Sequence, residues 1–137
     1  MSTRRKTAIL AVLGILGFCL LTKTLNTLVK SPGSTSYTYN CAKCHGKNGE
    51  GLGALIPPLA NADWLDTNMD QVPCIIRVGI SDSLHINQIW YKEEMLGLDY
   101  LNDIQIANIT NYVSKRFTAK QKFYSQMEIE ALLKKCE

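Results

Sequence analysis

One pentapeptide, Cys41-Ala42-Lys43-Cys44-His45, restricts the fold of this chain more than any other feature. On a helical turn, positions i, i+3 and i+4 share a face. The two thiols can then add to the two vinyl groups along one porphyrin edge while the imidazole points at the iron. This is the spacing of c-type haem attachment, with one haem held by Cys41 and Cys44. Other uses of the same residues compete with it. A thioredoxin-like redox pair also takes C-x-x-C, but in a βαβ context that this sequence lacks. A zinc site wants a second ligand pair at comparable spacing, and Cys74 and Cys136 are too isolated to form one. A disulfide between Cys41 and Cys44 leaves His45 and the glycine-rich stretch behind it without a role.

The chain of 137 residues has room for one domain and little more. Its net charge of +3 is unevenly spread. Residues 1–35 carry +5, residues 36–117 carry −3 and residues 118–137 carry +1. The presumed folded part is therefore mildly acidic. Nucleic acid, whose phosphates reward a basic face, is excluded as a partner.

Residues 1–29 read as a membrane anchor or signal segment. Arg4, Arg5 and Lys6 precede an uncharged, mostly apolar run from Ala8 to Leu21. That run suits a signal peptide and is short of the about 20 residues a span needs. Continuing it through Leu25, Leu28 and Val29, with Lys23 snorkelling, gives a single transmembrane helix. Three fates fit: a retained anchor, which the absence of a small-x-small site favours, a cleaved signal, or lipidation at Cys19. Each places the rest of the chain on the periplasmic side of the cytoplasmic membrane.

Residues 30–36 are rich in breakers and are expected to form a linker. Residues 37–117 are the expected domain, and residues 118–137 a helical extension. Within the domain, a short helix over 37–45 leads into a shaped loop containing Gly46, Gly49, Gly51, Gly53 and Pro57-Pro58. A second helix is expected over 70–79, with Pro73 in its first turn and Gly79 as its stop. A hairpin turns at Asn87-Gln88. The clearest helix runs over 101–117, capped by Asn102 or Asp103, with Ile106, Ile109, Tyr112 and Val113 as its apolar stripe. A last helix is expected from Thr118, with Gln121 completing a capping box and Phe123, Met127 and Ala131 on one face. Met69, between Asn68 and Asp70, is expected in an exposed turn. Cys74 and Cys136 are candidates for a disulfide in an oxidising compartment.

Residues 37–117 resemble the class I cytochromes c, nearest to the small membrane-attached or periplasmic monohaem type. The resemblance is carried by Cys41 to Gly51, by Pro57-Pro58-Leu59-Ala60 and by Ile75-Ile76-Arg77-Val78-Gly79-Ile80. Ile86-Asn87 with Tyr91, Met95 and the helix over 103–113 complete it. It implies an all-α fold class, a small helical domain wrapped around one haem. To this the reading adds the hairpin, the N-terminal membrane segment and the extra C-terminal helix. It also implies that His45 is the proximal ligand, that a loop proline fixes it, and that a downstream Met is distal. Where the family usually follows that Met with Pro, this chain has Leu96.

Met95 is the expected distal ligand. A thioether opposite imidazole favours ferrous iron and raises the potential. Met95 also lies 50 residues after His45, far enough for the chain to wrap the porphyrin. His85 is the rival, since a neutral imidazole is a good iron ligand and bis-histidine ligation lowers the potential; a third alternative leaves the sixth position open or weakly held. Pro57 or Pro58 is expected to offer a carbonyl to the far nitrogen of His45. Leu59, Ile76, Ile80, Leu98 and Ile109 are candidates for the haem wall. Trp90 and Tyr91 are candidates for the pocket edge or for hairpin packing, and Arg77 for a propionate partner or a solvated helix residue.

The expected function is one-electron transport between membrane-associated redox proteins, a dehydrogenase or a terminal oxidase, with no small-molecule substrate and no enzymatic turnover. The alternatives are a haem-based gas sensor or peroxidase-like enzyme, which needs an open sixth site, and a cytochrome subunit of a larger oxidoreductase complex.

Overall fold

The structure, a computed structural model, describes residues 30–136. The expected membrane segment over residues 1–29 lies outside the described residues. Among those described, no helix is long and apolar enough to cross a membrane.

The breaker-rich stretch is not a linker throughout. Helix α1 spans Pro32–Asn40 and crosses α5, Asp103–Phe117. Pro32 occupies the first position of the helix, where its missing N–H costs nothing. Gly33 is buried against α5: a Cβ there would stand 2.3 Å from the Asn108 carbonyl oxygen and 2.9 Å from the Tyr112 Cβ. Composition marks these residues as breakers, whereas packing uses them to start a helix and to bring two backbones together. One turn on, Tyr37 is fully buried, with its ring 5.1 Å from that of Tyr112 and 5.5 Å from that of Phe117.

After a single break at Cys41 the helix resumes as α2, Ala42–His45, and gives way to the glycine-rich loop. Helix α3, Asp63–Asn68, has no counterpart in the sequence reading. It passes through a 3-10 turn, Met69–Gln71, into α4, Val72–Val78. That continuity turns Met69 inward, so the residue expected in an exposed turn is part of the core at 7% exposure. Helix α4 carries Pro73 in its first turn and ends at Gly79, as expected, with φ +83°.

The domain is not purely helical. Strands β2, Leu84–Ile86, and β3, Ile89–Tyr91, form the expected hairpin, with positive φ at both Asn87 and Gln88, as a two-residue turn between twisted strands requires. A second ribbon was not foreseen. Strand β1, Gly79–Ile80, pairs antiparallel with β4, Met95–Leu96, in the register Gly79 with Leu96 and Ile80 with Met95.

Helix α5 is capped by Asn102, whose side chain accepts from the Gln105 N–H while Gln105 reaches back to the Asn102 N–H. Ile106, Ile109 and Val113 are buried along it. Beyond α5 the structure corrects the reading. Thr118 ends α5, and residues 119–125 form neither helix nor strand. Helix α6 spans Gln126–Leu133 and starts from the capping box Ser125/Glu128 instead. Both tetrapeptides fit the cap pattern, but residues 119–125 are drawn along α5 by side-chain bonds. Ser114 Oγ donates to the Lys122 carbonyl at 2.6 Å, and Asn111 exchanges two bonds with the Tyr124 backbone at 2.8 and 2.9 Å. The shift reverses the expected face. Phe123, Met127 and Ala131 are exposed, and Ile129 is buried. The end of the chain is tied back by a disulfide between Cys74 of α4 and Cys136, a pairing the sequence had offered as a candidate.

Candidate haem attachment site

Helix α2 and its N-cap, Cys41, supply the attachment residues. The Cys41 carbonyl accepts from the Cys44 and His45 N–H groups at 3.1 and 2.9 Å, which winds the pentapeptide into a turn. Cys41 is buried and Cys44 exposed, and neither is disulfide-bonded. Burial, with the neighbouring Cys44 second, pushes the Cys41 thiol up to about 12. A redox-active pair needs its attacking thiol lowered, and Cys41 does not have the environment of such a thiol. The zinc reading fails on its partners. Cys74 and Cys136 are consumed by their own disulfide, and no group of three or more His, Cys, Asp or Glu side chains gathers among the described residues.

His45 is buried at 9% exposure. Its Nδ1 lies 3.1 Å from the Pro57 carbonyl oxygen. A carbonyl can only accept, so Nδ1 carries the proton and Nε2 presents its lone pair. Desolvation lowers the imidazole's affinity for a second proton, outweighing the opposing effect of the Pro57 bond. The ring is thus neutral, oriented and uncommitted at Nε2, the state in which imidazole binds iron. Of the two prolines proposed for this bond, the structure selects Pro57. Pro58, named as a binding residue, is half-buried beside it and does not make the bond.

The loop holding Pro57 is folded back onto α2. The Gly51 N–H donates to the His45 carbonyl at 2.8 Å, and the Leu59 and Ala60 N–H groups both donate to the Gly49 carbonyl. Leu59 is half-buried and packs on the core. Tyr37 fixes the same corner from the other side, its hydroxyl donating to the Gly46 carbonyl at 2.8 Å. The sequence reading missed this role, although an aromatic one helical turn before Cys41 was the signal available.

Of the other expected residues, Ile76, Ile109 and Tyr91 are buried, and Ile80, Leu98 and Met95 are half-buried. Trp90 is 60% exposed, and its ring lies 4.8 Å from that of His85, itself exposed on the hairpin. Arg77 pairs through its guanidinium with Asp103 at the start of α5, an ion pair that joins α4 to α5.

Two unpaired thiols one turn apart and a neutral buried imidazole with a free Nε2 form the donor set that covalent haem requires. The Cytochrome c family model matches residues 31–116, well over half of the chain. The chain belongs to the cytochrome c family. Its cofactor is a c-type haem bound covalently through Cys41 and Cys44, and its general role is that of a haem-based electron carrier. No curated protein matches the chain. Residues 117–137, including α6 and Cys136, lie beyond the family match.

Proposed function

We propose that this cytochrome is a one-electron carrier in which His45 and Met95 would hold the haem iron. It exchanges electrons with a membrane-associated dehydrogenase or terminal oxidase on the periplasmic face of the cytoplasmic membrane. The observation that carries this reading is the state of His45: buried, neutral, and held through Nδ1 by the Pro57 carbonyl. Such a ligand keeps one geometry in both oxidation states, which keeps reorganisation during electron transfer small. The haem supplies the chemistry, a change between ferric and ferrous iron.

Met95 as the distal ligand is supported by its position on β4, half-buried and paired across to Ile80. A thioether there favours ferrous iron. His85 is a poorer choice, because it is exposed and stacked on Trp90. Six ligands leave no open position, so this reading predicts neither gas sensing nor peroxidase chemistry. The anchor over residues 1–29 would confine the carrier to the membrane surface and raise its effective concentration near membrane partners. The net −3 of residues 36–117 would favour a partner with a basic docking patch, through salt-sensitive contacts.

Optical spectra of the full-length protein in both redox states, beside Met95→Ala, test the ligation. The oxidised wild type is expected to show the sulfur–iron charge-transfer band and Met95→Ala to lack it, with carbon monoxide binding only to the reduced variant. Rapid and complete carbon monoxide binding by the wild type at neutral pH would replace the carrier with a sensor or an enzyme.

A further inference from the structure

We infer that the disulfide-bound C-terminal extension is a splint for the loop bearing the distal ligand, making Cys74 and Cys136 positioning residues for Met95. The inference rests on the reading of Met95 as that ligand.

Helix α4 is the scaffold of the Met95 segment. Along its last turn and into β1, successive backbone groups engage residues 95–98. The Ile76 carbonyl accepts from the Leu98 N–H at 2.8 Å. A Cβ on Gly97 would stand 2.6 Å from the Arg77 carbonyl oxygen, and one on Gly79 2.3 Å from the Met95 carbonyl oxygen. The two backbones are thus in direct contact from the register pair Ile80 and Met95 through to Ile76 and Leu98. A displacement of α4 is transmitted to Met95 with no flexible side chain to absorb it.

What holds α4 is partly the extension. Cys74, in the first half of α4, is bonded to Cys136, 62 residues later. Helix α6 is seated by the fully buried Ile129. The segment before it is fixed to the turn preceding α4, where Tyr124 and Lys122 both donate to Asp70, at 2.6 and 2.7 Å. All of these residues except Asp70 and Cys74 lie beyond the family match. Within the ligand loop itself Leu96, the residue after Met95, is 73% exposed and so adds little packing of its own. Rigidity that the ligand loop does not carry itself is supplied through α4 by the added segment.

The iron–sulfur bond competes with open states, and an external ligand binds only the open fraction. Its apparent affinity therefore reports that fraction. The test is a titration of the full-length oxidised holoprotein with imidazole, while the sulfur–iron band is followed, for wild type, Cys74→Ala/Cys136→Ala and Phe117→Leu. Phe117 packs on Tyr37 and Gly49, on the His45 side of the domain, and so serves as a control for general loosening. The splint predicts that imidazole binds the double variant about tenfold more tightly than wild type, while Phe117→Leu stays near wild type. Should the double variant fail to incorporate haem, Ile129→Ala, which leaves the disulfide in place, is expected to shift imidazole affinity in the same direction by a smaller factor. Equal affinity in wild type and the loosened variants overturns the inference, as does an equal shift in Phe117→Leu. Absence of the band from wild type overturns the inference together with the Met95 reading. It is told apart from the other failures because there the wild-type band is present.

Discussion

His45 gives up most of its contact with water and keeps one hydrogen bond, to a carbonyl whose own residue can donate nothing in return. Burial keeps the ring neutral, the Pro57 bond chooses the tautomer, and the adjacent Cys44 would tether the haem beside it. Tyr37 completes the arrangement at Gly46. Removing its hydroxyl in Tyr37→Phe takes away the shorter of two hydrogen bonds to the Gly46 carbonyl and is expected to cost about 1 kcal/mol, read as a lower midpoint in denaturant at unchanged slope. A second residue sets a pH dependence. Hydrogen bonds from Lys122 and then Tyr124 hold the Asp70 carboxyl below its ordinary range. Its folded pKa is depressed, so its contribution is present above the unfolded value and is lost as pH falls through the folded one. Thermal melts of wild type and Asp70→Asn are therefore expected to differ by a constant amount above about pH 5 and to converge on acidification. A gap that widens in acid would contradict the assignment.

Elements here are placed as much by close backbone approach as by apolar pattern. At the α1–α5 crossing, alanine at position 33 gains helix propensity but puts a methyl 2.3 Å from a carbonyl oxygen. The clash outweighs the gain of about 1 kcal/mol. Gly33→Ala is thus expected to lose about 1–3 kcal/mol in chemical denaturation. The same physics marks what could be read beforehand. Helix α5 and the hairpin were legible because their signals are local: an Asn102/Gln105 cap, a 3–4 apolar stripe, and a two-residue turn. The His45 site was legible because its chemistry lies within five consecutive residues. The start of α1 was hidden, since Pro32 and Gly33 look like a linker until the partner backbone is known. The β1–β4 ribbon joins residues 15 or more apart with two residues per strand, too short for any periodicity. The start of α6 was misplaced because Thr118–Gln121 and Ser125–Glu128 carry equivalent cap patterns, and the choice rests on Asn111 and Ser114 of another helix. Arg77 shows the same limit. Its ion pair with Asp103, 26 residues away, has no local signal in the sequence.

Across the whole molecule, a core of this size is marginal on its own. It is completed by a covalently attached haem and by the Cys74–Cys136 disulfide. The haem-free chain is therefore expected to be largely unfolded, and circular dichroism showing a cooperative, native-like melt would contradict this. The Cys74–Cys136 bond closes a loop large enough that its loss, in Cys74→Ala/Cys136→Ala, is expected to cost about 4 kcal/mol in the holoprotein by denaturant titration. Both expectations presuppose that haem is part of the polypeptide rather than its guest. The direct measurement is to denature the purified protein in acid, extract it with organic solvent, and determine the mass of the peptide spanning residues 41–45. The peptide is expected to keep its colour and to carry one haem on Cys41 and Cys44. Haem in the organic phase, with both thiols left free to alkylate, would contradict the account.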